Sequence, residues 1–302
     1  MTVSGGHRYR RASKATTLAT LAAKKAANEP IVMVTAYDHP SARIADEVGV
    51  DLVLVGDSAA NVVLGYESTV PVTVAEMLVL TGAVRRGLES ALLVADLPFG
   101  SYEASDEQAV RTAQRFVKEA GADAIKLERG GTSVARARAV IQAGIPVMGH
   151  VGLTPQAATA LGGYRVQGRT AVQAEQLIHD ALDLQSAGCF AIVLEAVPAA
   201  VTELLAPLLS CVVIGIGAGS ATDGQVLVWH DLLGLNHGHV AKFVRRFADL
   251  RAEAIRGLGA YAAAVRQREF PAPENTYLMA PEELEALRTR LEAGSAQPGS
   301  QN

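Results

Sequence analysis

Polar and apolar positions fall in blocks along this chain. Short aliphatic and β-branched runs recur as IVMVTA (31–36), DLVLVG (51–56), ALLVAD (91–96), DAIKLE (123–128), IPVMGH (145–150), CFAIVLE (189–195), CVVIGIG (211–217) and the weaker QVLVWHD (225–231). Runs of this length and composition predict strands. Between them lie longer Ala-, Leu- and Glu-containing segments with helical spacing: HPSARIADEVG, TVAEMLVLTGAVRRG, DEQAVRTAQRFVKEAG, SVARARAVIQAG, AVQAEQLIHDALDLQSAG and VTELLAPLLS. Several reach a glycine just before the next strand, at Gly49, Gly121, Gly144 and Gly188, where a helix C-terminus favours a left-handed residue.

Eight strand-helix alternations in about 230 residues predict a closed α/β (β/α)8 barrel, whose usual size is about 250 residues. An open doubly wound sheet is the second reading. No shift in composition divides the middle of the chain, so 16–278 reads as one barrel domain with C-terminal helices drawn from 240–268. FPAPENTY follows at 270–277, and 279–302 reads as a short charged helix, PEELEALRTRLE, and a tail, AGSAQPGSQN, of disordered composition. The first 28 residues contain no Asp or Glu and carry Arg8, Arg10, Arg11, Lys14, Lys24 and Lys25. They read as a flexible basic arm rather than a transit peptide, with residues 1–15 outside the barrel.

At 302 residues and 49% hydrophobic, the chain can bury a large core. A formal net charge of -4 provides no electrostatic footprint for nucleic acid or an anionic membrane, which favours a small-molecule partner. No apolar stretch reaches the roughly 18 residues of a membrane span. Cys189 and Cys211 sit in apolar runs and read as buried thiols of a reducing compartment.

The strand ends carry the candidate chemistry. Asp57 follows the second run, Asp96 ends the third, Glu128 the fourth, His150 the fifth and Glu195 the sixth. Parallel barrel strands all point one way, so these residues share the C-terminal rim, where such barrels keep their active sites. Neighbouring strands lie about 4.8 Å apart, so carboxylates from strands two, three and four can converge, and without a cation they repel. An all-oxygen set suits Mg2+ and not zinc. Lys126 and Glu128 are two residues apart and so face the same way, inward. Taken singly, a strand-end carboxylate reads first as a helix cap, and Lys126 as the partner of a plain buried ion pair. Three carboxylates on consecutive strands with an inward lysine reverse that order.

Other features weigh less. GIGAGS (215–220) lacks dinucleotide-loop spacing, and its glycines read as letting backbone approach a ligand. The connection 151–170, with GGYRVQGR, has the length of a lid or partner contact. His237 and His239 read as solvated loop residues. Tyr37 and Asp38 either line the rim or, for Asp38, start the next helix.

VTAYD, GDS, ADLPFGSY, KLERGG, GHVGLTPQ, GGYRVQGR, VLEAVP, IGIGAG and TDGQVLVWHDLLGL occur in this order across residues 16–277, and together they resemble the ketopantoate hydroxymethyltransferase family. FPAPENTY departs from a family segment that more often ends on a histidine. The resemblance implies a TIM barrel of the phosphoenolpyruvate/pyruvate type, Mg2+ dependence and a cytoplasmic homodecamer. It also implies transfer of a hydroxymethyl group from 5,10-methylenetetrahydrofolate to 3-methyl-2-oxobutanoate through a Mg-stabilised enolate, giving 2-dehydropantoate for pantothenate and coenzyme A synthesis. By residue match, Asp57, Asp96 and Glu128 take the metal, Ser58, Asp96, Lys126 and His150 bind the keto acid, and Glu195 is the catalytic base. One rival keeps the barrel but performs carbon-carbon lysis or decarboxylation, which in similar enzymes uses a loop cysteine that this chain lacks. A non-catalytic binding barrel leaves Glu195 without a purpose.

Overall fold

The computed structural model describes residues 15–160, 162–163, 165–236 and 240–295; His237, His239 and Tyr164, like the ends of the chain, lie outside them. Each apolar run forms a strand and each periodic segment between runs a helix. In chain order these are α1 (Leu18–Ala26), β1 (Ile31–Thr35), α2 (His39–Val48), β2 (Leu52–Val55), α3 (Ala59–Val62), α4 (Val74–Gly87), β3 (Leu92–Asp96), α5 (Asp106–Ala120), β4 (Ala124–Lys126) and α6 (Thr132–Gln142). Then come β5 (Val147–Gly152), α7 (Ala171–Ala187), β6 (Ala191–Glu195), α8 (Ala199–Leu205), β7 (Val212–Ile216), β8 (Gly224–Leu227), α9 (Trp229–Leu232), α10 (Leu250–Gln267) and α11 (Pro281–Ser295). Gly49, Gly121 and Gly188 cap their helices in the left-handed conformation, as their positions predict.

Strands β1 to β8 pair in parallel in sequence order and close into a barrel, β8 returning to β1 through the register Ile31↔Gly224 to Val34↔Leu227. The side-chain period of two divides the apolar residues into two cores. Met33, Leu52, Leu54, Leu92, Val94, Ala124, Met148, Ala191, Val193, Val212, Ile214 and Val226 fill the barrel interior. Their neighbours Val53, Val55, Leu93, Ala95, Ile125, Val147, Ile192, Leu194 and Val213 pack outward with the helices. The register Asp96↔Lys126 between β3 and β4 sets those two inward groups side by side.

The structure corrects the reading of residues 17–28 as part of a flexible arm. Thr17 closes a capping box with Thr20 and starts α1, and Leu21, 1% exposed, joins the interior core. Lys24 pairs with Asp51 at 2.7 Å and Lys25 with Asp223 at 2.7 Å. Those aspartates also accept from Val32 N and Val213 N, which ties α1 to the N-terminal end of the barrel. That end contributes stability rather than chemistry.

The chain divides at Ala248 and Asp249 into two compact units, a boundary inside the 16–278 span that the sequence reads as one domain. The second unit holds α10, started by the Asp249 side chain accepting from Ala252 N, and α11, with Glu282 and Glu283 in its first turn. Among the described residues no helix is long and apolar enough to cross a membrane.

Barrel closure depends on a residue without a side chain. A Cβ at position 224 would stand 2.3 Å from Ile31 O and 2.9 Å from Ile214 Cδ1. Gly224→Ala is expected to destabilise the barrel by about 1–3 kcal/mol, the usual cost of overpacking, read as a lower urea midpoint by circular dichroism. An unchanged midpoint would show that β1 and β8 can separate there freely.

Candidate active site

Each rim residue arrives by strand parity. Asp96 ends β3 and Lys126 ends β4, while Glu128, two residues further on, keeps the inward direction after the strand pairing has stopped. Backbone bonds from Leu127 N to Met148 O and from Arg129 N to His150 O hold this extension against β5. His150 lies within β5, and Glu195 ends β6 opposite Gly152. Asp57 and Ser58 occupy the turn between β2 and α3.

Asp57, Asp96, Lys126, Glu128 and His150 are each at most 4% exposed, and they are mutually connected. Lys126 Nζ donates to Asp96 Oδ1 at 2.5 Å and lies 3.9 Å from Glu128 Oε1. Asp96 Oδ2 accepts from Asp57 N at 3.0 Å. His150 stands between two carboxylates, Nδ1 3.4 Å from Glu128 Oε1 and Nε2 3.3 Å from Glu195 Oε2. Neither ring nitrogen has the alignment of a hydrogen bond, so these contacts are ion pairs in character. Ser58 Oγ and Tyr37 OH share a hydrogen bond of 2.9 Å. Every sequence-predicted site residue therefore lies on one rim.

The electrostatics follow from burial and pairing. Burial pushes Asp57 well above the ordinary aspartate range, and the charges of Glu128 and Asp96 add to the effect. Asp96 is also raised by burial, against the pull of Lys126. Burial would raise Glu128 too, but His150, Lys126 and the Gln156 amide outweigh it and set its carboxyl below the usual value. Lys126 loses by burial and gains more from Asp96, Glu128 and Asp57, so it is held protonated. Burial and Lys126 oppose charge on His150, yet Glu128 and Glu195 prevail and lift it to about 9. At neutral pH the ring is an imidazolium clamped between two carboxylates.

The structure changes one expectation. Asp57, Asp96 and Glu128 do not stand as a ready-made three-ligand cluster, nor does any other such group of His, Cys, Asp or Glu among the described residues. Lys126 is itself the cation between Asp96 and Glu128, and Gln156 separates Glu128 from Asp57. In chemistry the donor set still fits a hard divalent ion, because three buried carboxylates offer oxygen ligands on one rim, and burial together with the charges of Glu128 and Asp96 pushes Asp57 toward its neutral form. Asp57, Asp96 and Glu128 supply the carboxylate oxygens of this donor set.

Other readings resolve plainly. Asp38 starts α2 by accepting from Ser41 N at 2.8 Å, whereas Tyr37 lines the site through Ser58. In GIGAGS, a Cβ at Gly217 would meet the Phe243 ring at 2.5 Å, and one at Gly219 would meet Ala199 at 2.7 Å, so these two glycines make room for protein neighbours. Cys189 and Cys211 lie just before β6 and β7 rather than within the strands their apolar runs suggest, at the end opposite the rim, and burial raises their thiols to about 12 and about 11. Gln156 and Tyr102 carry no charge and sit in loops, so pattern reading passes over them. Their one signal is that ADLPFGSY and GHVGLTPQ are both family motifs.

The sequence profile of ketopantoate hydroxymethyltransferase matches residues 15–273. The chain belongs to the ketopantoate hydroxymethyltransferase family. Family members are transferase enzymes, and the matched span holds every rim residue described above. The 3-methyl-2-oxobutanoate hydroxymethyltransferase of Deinococcus radiodurans is 53% identical over 259 residues, covering 85% of this chain and 91% of that protein. Its counterpart from Saccharopolyspora erythraea is 55% identical over 245 residues, covering 81% and 83%. Among solved structures, phosphonopyruvate hydrolase in complex with oxalate and Mg++ superposes with a TM-score of 0.57 at 13% identity, covering 92% of this chain and 96% of that one. A 2,3-dimethylmalate lyase of the PEP mutase/isocitrate lyase superfamily superposes at 0.53 with 17% identity, covering 93% and 98%. These two likenesses establish the barrel fold.

Two family-span residues sit under backbone constraint beside the acids. Arg129 and Ala196, which follow Glu128 and Glu195, adopt φ of 78° and 49°, a region costly for residues with a Cβ. The raised pKa of His150 has a thermodynamic sign. A group whose folded pKa exceeds its unfolded value stabilises the fold below the unfolded pKa and loses that contribution as pH rises through the folded one. Between pH 6.5 and about 9 the parent's urea midpoint is expected to fall, and in His150→Gln this part of the slope should flatten. Equal slopes in the two proteins would show that the buried ring is uncharged.

Proposed function

We propose that this chain transfers the one-carbon unit of 5,10-methylenetetrahydrofolate to 3-methyl-2-oxobutanoate, giving 2-dehydropantoate in the route to pantothenate and coenzyme A. Within the family assignment, the observation that carries this reading is the continuous rim network in which Glu195, His150, Glu128, Lys126 and Asp96 stand in contact one after the other. It sets a carboxylate base and a buried cation on one surface, as removal of a proton beside a ketone requires.

Ser58 and Lys126 hold the keto acid, Ser58 by its hydroxyl and Lys126 by its charge, with Asp96 fixing the ammonium in place. Glu195 takes the proton from C3. The neighbouring imidazolium of His150 orients that carboxylate and holds it beside the substrate. Water cleaves the two C–N bonds that hold the one-carbon unit, releasing tetrahydrofolate and leaving the carbon at the level of formaldehyde; the carbanion adds to that carbon, and the resulting alkoxide takes a proton back from Glu195 to become the hydroxyl. A divalent ion held by Asp57, Asp96 and Glu128 would add positive charge at the keto oxygen as negative charge grows there. The Mg++ of phosphonopyruvate hydrolase, on the same fold, supports such a cation. We propose in addition a cytoplasmic homodecamer, for which the family resemblance is the support. The net charge of -4 favours small-molecule partners over nucleic acid.

Deuterium exchange at C3 of 3-methyl-2-oxobutanoate, followed by NMR without folate, isolates the first step. Glu195→Gln is expected to slow it by about a hundredfold or more, within the range of general base catalysis. Exchange at the parent rate would remove Glu195 from this role. Asp57→Ala is expected to lose activity and regain part of it at high Mg2+, whereas activity indifferent to chelators would end the metal assignment.

A further inference from the structure

One neutral residue meets two of the rim acids, Asp57 through its side chain and Glu128 through its backbone N–H. Gln156 lies in the single 3-10 turn Pro155–Ala157 after β5 and is 6% exposed. Its Nε2 donates to Asp57 Oδ2 and to Leu97 O, each at 2.9 Å, and its backbone N donates to Glu128 Oε2 at 3.1 Å. The orientation of the amide is imposed from behind. Tyr102 OH accepts from Glu128 N at 3.3 Å, so its single proton goes to Gln156 Oε1 at 2.7 Å. Burial raises the Tyr102 pKa far above its ordinary value, so the phenol remains a donor. With Oε1 committed as acceptor, Nε2 must face Asp57. A carboxylate at 156 would repel Asp57, and an apolar residue would leave Asp57, Leu97 O and Tyr102 without their partner.

We propose that Gln156, oriented by Tyr102, is a positioning residue for the reaction: it holds the Asp57 and Glu128 carboxylates at a fixed separation, claiming one oxygen of each. Asp57 follows β2 and Glu128 follows β4, and Gln156 meets one carboxylate oxygen of each across the gap between them. The proposal rests on the function argued above. It adds that the proton-abstracting step depends on two residues that need not touch the substrate, acting through Asp57 and Glu128.

The test uses the full chain and the variants Gln156→Leu, Tyr102→Phe and the double variant, each checked by circular dichroism for the parent's fold. Two readouts are taken: Mn2+ binding by electron paramagnetic resonance, and kcat and KM for C3 exchange of 3-methyl-2-oxobutanoate. Both single variants are expected to weaken Mn2+ binding and to lower kcat by about 10- to 100-fold, the range for residues that orient metal ligands. KM should stay within about threefold, and the double variant should be no worse than Gln156→Leu, since Tyr102 acts through Gln156. Parent-like values, a loss confined to KM, or losses that multiply in the double variant would overturn the proposal. Should Gln156→Leu fail to fold, Tyr102→Phe decides alone. A parent that exchanges C3 without binding Mn2+ ends the metal assignment, and kcat then decides the positioning role. A parent without exchange overturns both readings.

Discussion

The Lys126 ammonium, buried among Asp96, Glu128 and Asp57, is the interaction on which the site depends. Burying one charge costs several kcal/mol unless partners repay it, and burying three like charges side by side costs far more. With Lys126 in place, Asp96 and Glu128 can both sit inside the barrel, while Asp57, further from the ammonium, remains raised toward its neutral form. Counting Glu195 with Asp57, Asp96 and Glu128, the rim carries four carboxyl groups against the two cationic side chains Lys126 and His150. A cationic ligand, or a substrate whose developing charge is met by Lys126, fits such an environment.

Around that pair the acids are ordered by what lies between them. His150 separates Glu128 from Glu195 with a charged ring, and Gln156 stands between Glu128 and Asp57 with neutral donors, its backbone N–H on Glu128 and its side-chain amide on Asp57. The difference has chemical meaning. The charged spacer stands beside the carboxylate proposed to move a proton, and the neutral one beside a carboxylate proposed to hold a cation. Glu128, touching both spacers, couples the two halves of the rim.

Backbone geometry supports this arrangement at defined points. Gly152, with φ of 96°, leaves room for Glu195 O, which a Cβ there would approach to 2.2 Å, and Leu153 N binds that same oxygen at 2.8 Å. The strand end that presents Glu195 is therefore seated by its neighbour's missing side chain. The opposite end of the barrel is closed by α1, whose Leu21 enters the interior and whose lysines reach Asp51 and Asp223. Chemistry and closure are thereby kept at separate ends of one sheet.

Much of this was legible in the order of residues. The eight strands follow from continuous apolar runs, because a strand covered on both faces must be apolar at every position. The rim follows from parallel direction, and the shared facing of Lys126 and Glu128 from the period of two. What the tertiary structure alone decided concerns groups whose role depends on partners far away in the chain. The lysines of α1 looked like a loose basic arm because the aspartates that bind them lie beyond 50 and beyond 220. Gln156 carries no local signal, since nothing in a short window shows that its amide meets Asp57, 99 positions earlier. Local pattern determines which face a side chain takes, whereas only the closed barrel determines which charge or dipole it meets there.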